Sequence, residues 1–91
     1  MNSDENQLRR FPATFRNEVA AIRAGAMNGG IISPRRHGGV LIEMERVKGR
    51  YDAKIATLRA RDPSLPLDEV ETEIAKTASE FAATLSTDNA A

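Results

Sequence analysis

The sequence predicts an all-α fold: a small three-helix domain, or a helical hairpin with an additional N-terminal helix, built on a long central helix and extended by dimerisation. Three observations predict it. Apolar residues recur at spacings of three and four through three separate stretches, the signature of amphipathic helices. A Gly pair and a Pro-rich turn separate those stretches. The aromatics are Phe11, Phe15, Tyr51 and Phe81, with no Trp, so Leu, Ile, Val, Met and Ala must fill the core, a composition suited to packed helices.

Residues 1–11 read as a flexible polar segment, in which Ser3 or Asp4 can cap at most a first turn. The first helix is expected over 12–28. Pro12 suits a first turn, where its missing N–H costs nothing, and Phe11, Phe15, Val19, Ile22 and Ala26 keep helical spacing. Ala13, Ala20, Ala21, Ala24 and Ala26 add helix propensity, and Gly29 and Gly30 end the helix by accepting the left-handed conformation. The connector GGIISPRRHGG reads as a loop, because Pro34 pushes Ser33 out of the helical region, with Ile31 and Ile32 as its anchors.

The central helix is expected over 39–61. Val40, Met44, Val47, Tyr51, Ile55 and Leu58 form one stripe, and Glu43 and Glu45 precede Lys54, Arg59 and Arg61 in the order the helix dipole favours. Gly49 interrupts it, either at a close helix crossing, the favoured reading, or at a bend. Pro63 stops it. Asp62-Pro63-Ser64-Leu65-Pro66 then folds the chain back into a third helix over 66–85, with Ser64 as N-cap and Asp68, Glu69 and Glu71 at its positive end. Leu67, Val70, Ile74, Ala78, Phe81 and Leu85 make a near-heptad stripe. The domain is thus expected over 12–86, with a disordered tail over 87–91.

A chain of 91 residues is one small domain with little interior to spare, which favours a second copy or a partner. The absence of Cys removes disulfides and thiol chemistry. No apolar run reaches the length of a signal peptide core or a membrane span, so no membrane partner is expected and the cytoplasm is the default location. The zero net charge conceals an asymmetry. Residues 9–61 carry twelve Lys or Arg against four acids, whereas residues 62–91 carry one Lys against seven acids. Either the two parts neutralise one another, within a hairpin or across a dimer, or a basic face is left for an acidic partner such as nucleic acid.

The segment with most chemical character is Ser33-Pro34-Arg35-Arg36-His37-Gly38-Gly39. Placed before a helix start, with two Gly and three basic side chains, it has the elements of an anion site. Ser33-Pro34-Arg35-Arg36 resembles the Ser-Pro-basic-basic unit of basic histone tails, which implies affinity for the DNA minor groove; those tails repeat the unit and here it occurs once. The candidate phosphate contacts are therefore Arg35, Arg36, His37, Gly38 and Gly39, with Arg46 and Arg50 and further helix cations such as Arg16, Arg23 and Lys48. The competing reading is a solvated basic loop that pairs with acids of the third helix.

No enzyme, metal or cofactor is expected. His37 is the sole histidine, in a Gly-rich segment that excludes water poorly. The acids of Glu43 and Glu45, and of Glu69, Glu71 and Glu73, lie two apart and point to different sides of a helix. Glu69 and Glu73 share a face near Lys76 and read as a salt-bridged solvated stripe. Val47, Tyr51, Ile55, Leu58, Val70, Ile74, Phe81 and Leu85 are the candidate interface residues, facing either the chain's own core or a partner. The function these features suggest is a non-enzymatic protein–protein interaction module: a regulator, inhibitor, adaptor or assembly component, of a class common among phage and plasmid products. The alternative is a dimeric nucleic-acid-binding accessory protein that contacts phosphates through the basic loop and helix face.

Overall fold

The computed structural model describes residues 3–88 as three helices: α1 (Ser3–Ala26), α2 (Pro34–Arg61) and α3 (Leu67–Asp88). They run up, down and up. Arg61 of α2 meets Asp4 of α1, whereas Arg36 near the start of α2 meets Ala26 at the end of α1, so these two helices are antiparallel. Arg59 reaches Asp68 and Glu71, so α2 and α3 are antiparallel as well. The first and third helices pack on the second and also on each other. The outcome is a rod of 47 × 18 × 16 Å.

One core runs the length of the rod. It takes Leu8, Phe11, Phe15 and Val19 from α1, the Val40 to Leu58 stripe from α2, and Leu67, Val70, Ile74, Ala78, Phe81 and Leu85 from α3. Ile32 and Leu65 plug the two turns. Phe15, Leu8 and Ile74 are completely inaccessible, and each such side chain contributes about 1.5–3 kcal/mol by leaving water. Among the described residues no polar or charged residue is buried in this core.

Three element boundaries differ from expectation by three residues or more. Residues 3–11 are helical, because Leu8 extends the Phe11, Phe15 and Val19 stripe by one turn and its burial, with the Arg61–Asp4 ion pair, holds that turn in place. Pro12 consequently lies inside α1, where it withholds the N–H that the carbonyl of Leu8 would otherwise accept. Central helix α2 starts at Pro34 and not at Gly39. Ser33 is indeed extended (φ −56°, ψ 137°), but Pro34 begins the helix as its first residue, a position its fixed φ suits. The basic segment is thus two turns of helix. In α3, Thr87 and Asp88 continue the helix expected to stop at Leu85; residues 89–91 of the expected tail, like residues 1 and 2, lie outside the described residues.

The turns explain themselves. Gly29 and Gly30 both have positive φ (67° and 86°), and Asn28 N–H donates to the Ile31 carbonyl at 2.8 Å. That is the type I′ geometry, which Gly tolerates without a Cβ penalty. At the other end Ser64 does not cap α3. Its N–H and hydroxyl both donate to Asp62 Oδ1, at 3.2 and 2.6 Å, closing the Asp62–Ser64 turn. Gly49 makes no close crossing within the chain, since a Cβ built there would meet nothing within 4 Å.

Candidate functional site

Helical packing settles first what the apolar stripes face. Val47, Tyr51, Ile55, Leu58, Val70, Ile74, Phe81 and Leu85 are each at most 8% exposed in a single chain. They are occupied by the chain's own core. Tyr51 is likewise no stacking platform. Its ring meets Phe11 and Phe15 edge-on, with centroids 5.4 Å away in each case, and Lys54 Nζ sits 5.3 Å from its centroid.

The basic segment is placed differently from a phosphate loop. Arg36 turns back and donates from Nη1 to the carbonyl of Ala26 at 3.2 Å, satisfying an acceptor at the end of α1. The half-buried His37 ring donates from Nε2 to the Ile32 carbonyl at 3.1 Å; a carbonyl only accepts, so that nitrogen carries the proton. Both side chains tie the start of α2 to the turn before it. Gly38 and Gly39 lie in the helix with open space where a Cβ would be. Arg35 remains exposed, in no ion pair among the described residues. No acid occupies the first turn of α2, so its positive end is reinforced by Arg35 and Arg36 and not compensated.

Along the seam of α1 and α2, Glu18 collects Arg50, at 3.2 Å, and the hydroxyl of Tyr51. Arg50 is therefore engaged within the chain. Burial above all, then the hydrogen bond and charge of Glu18, push the Tyr51 phenol up to about 12, with Arg50 opposing. Lys48 pairs with Asp52 at 2.9 Å and Arg9 with Glu5 at 3.4 Å. Arg59 alone of these cations reaches the acidic helix, and its hydrogen bonds to Glu71 and Asp68 raise its pKa further. Arg59 thus joins the basic part to α3 at the Asp62–Ser64 end of the rod. Arg10, Arg16, Arg35 and Arg46 hold no ion pair among the described residues, and neither do Glu69, Glu73, Lys76 and Glu80. The stripe of α3 is solvated, as expected, but the helix salt bridge expected there is not made.

Between the last turns of α1 and the first turns of α2 lies a shallow groove of about 610 Å³. Ile22, Ala26 and Val40 form its apolar floor, and Arg35, Arg36 and Glu43 stand on its α2 rim. Beyond the rim Ile42 is 64% exposed, and Ile31 in the turn is 54% exposed. This groove was not legible in the sequence. The signal was present in Ile22 and Ala26, the last residues of the α1 stripe, which are only partly buried against the core; the groove also depends on which helices are neighbours, a tertiary fact. Among the described residues no group of three His, Asp or Glu could hold a metal ion, and no helix is long and apolar enough to cross a membrane.

No family model matches the chain, and neither a curated protein nor a solved structure is significantly similar to it.

Proposed function

We propose that the chain is a non-enzymatic protein-interaction module, a regulator, inhibitor, adaptor or assembly component, that docks an acidic, partly apolar segment along the face shared by α1 and α2. The observation that carries this reading is the groove with its Ile22 and Val40 floor and Arg35 at its rim, on a face where Arg10, Arg35 and Arg46 lack ion pairs among the described residues. Apolar contact in the groove supplies affinity and the cations supply orientation and association rate. The groove replaces the helix stripes as docking surface, because those stripes are consumed by the core. The test is fluorescence anisotropy with a labelled Glu- and Leu-rich helical peptide. Wild type should bind, Arg35→Ala should weaken binding several-fold, and added salt should weaken it further; equal signal from wild type and Arg35→Ala removes the reading.

One observation keeps nucleic acid as a second reading. Among the described residues the acids of α3 make no ion pair with Arg10, Arg35 or Arg46, so phosphates could approach these three. That reading expects binding to a random duplex and to a single strand with a steep salt slope and little sequence preference. Anisotropy with both strands beside the peptide separates the two readings.

A further inference from the structure

Two solvent-facing stripes on different helices share one spacing. On α3, Glu69, Glu73, Lys76 and Glu80 fall at positions i, i+4, i+7 and i+11, a single narrow line opposite the buried stripe. On α2, Arg35, Gly39, Ile42 and Arg46 fall at the same four positions, with Glu43 beside Ile42. All nine residues are exposed, and none of the charged ones is in an ion pair among the described residues. The charged ends of each stripe are about 16 Å apart at 1.5 Å per residue.

We propose that α3 of one copy lies parallel on the outer stripe of α2 of a second copy. Glu69 then faces Arg35, Glu73 passes over Gly39, Lys76 lies on Ile42 with its ammonium towards Glu43, and Glu80 faces Arg46. Charge complementarity argues for this occupant: each acid line end meets a cation, and the one cation of α3 meets one of the two exposed acids, Glu43 and Glu45, that flank the α2 stripe. Reversing the direction of α3 keeps the end pairs but carries Lys76 away from Glu43. The contact also covers Ile42, the most exposed large apolar side chain among the described residues, with the methylene stem of Lys76. At Gly39 a Cβ would meet nothing within the chain, so the position admits a neighbouring helix closely. The two stripes face outward from different helices, so each copy offers both halves of the contact. The assembly is therefore heterologous and grows head to tail beyond a dimer. A single helix-on-helix contact lies below the area of a standard interface, so the association is weak and sensitive to salt.

The inference rests in part on the α1–α2 face being a docking surface, because Arg35 belongs to both. Sedimentation velocity tests it on three proteins: wild type, the Glu69→Gln/Glu73→Gln/Glu80→Gln variant, and the Arg35→Gln/Arg46→Gln variant, with circular dichroism to confirm helicity. Wild type should exceed the mass of a dimer at high concentration and low salt, and return to a monomer at roughly 0.5 M salt, where screening acts within a few Å. Each variant alone should remain monomeric. Their equimolar mixture should stop at a pair, because the first variant keeps the basic stripe and the second keeps the acidic one. Wild type that stays monomeric at low salt overturns the inference, as does either variant associating like wild type. A monomeric wild type that binds the Glu- and Leu-rich peptide would leave the docking reading intact and remove self-association alone.

Discussion

Tyr51 joins packing to electrostatics at one point. Its ring closes the contact between Phe11 and Phe15, and its hydroxyl donates to Glu18 across the α1–α2 seam. Burial and the neighbouring carboxylate hold the phenol near 12, against about 10 in an unfolded chain. A pKa raised by folding means that this contribution is complete below about pH 10 and is lost as the pH rises towards 12, by about 2–3 kcal/mol at most. Alkaline denaturation should therefore coincide with phenolate formation, read by ultraviolet absorbance; as the chain holds one Tyr and no Trp, the signal belongs to Tyr51 alone. Glu18→Gln should lower that midpoint. Phe15→Ala, at a fully inaccessible position, should cost about 3–5 kcal/mol in urea unfolding. The stripe that contains Tyr51 was legible because residues of one helix share a face by arithmetic. Its partner Glu18 was not, because nothing local relates residues 33 apart.

Helix starts were the least legible elements, and the reason is visible at both Pro12 and Pro34. Each can begin a helix or interrupt one, and the choice is made by burial elsewhere: Leu8 draws α1 back to Ser3, while Ile32 and the Arg36 bond to Ala26 fix α2 at Pro34. Restoring the missing donor in Pro12→Ala should raise stability by about 1–3 kcal/mol in chemical denaturation. Gly49→Ala should add roughly 0.5–1 kcal/mol, because the new methyl enters open space in a helix interior. A loss at Gly49 would mean that something outside the chain approaches that surface closely. The end of α2, by contrast, followed its signal, Pro63 stopping it at Arg61, and the Gly29–Gly30 pair turns the chain close behind α1, which ends at Ala26, two residues before expectation.

At the scale of the molecule, the stability and the surface charge are largely separate systems. The ion pairs Arg59–Asp68, Arg61–Asp4 and Arg50–Glu18 are exposed at one or both partners, and such pairs contribute about 0–1 kcal/mol each. The thermal midpoint should therefore move little between low and high salt, in a regime where association with an acidic partner falls steeply. Calorimetry at the two salt concentrations, run dilute enough to stay monomeric, measures the first quantity without the second. The three-helix architecture was legible because each apolar stripe announces one helix. The groove and the uncovered cations were not, because a stripe does not state which neighbour lies to its left or right.

An odd number of helices has a mechanical consequence. The chain enters the rod beside the Asp62–Ser64 turn and leaves α3 at the opposite pole, near the Gly29–Gly30 turn, so the first and last helices point the same way along the 47 Å axis. Tension applied to the two ends loads the contact between α1 and α3 in shear, along its whole length at once, and cannot peel one helix away turn by turn. Inserted between two other bodies, the bundle would hold them apart as a stiff strut and set the distance between them by its own length.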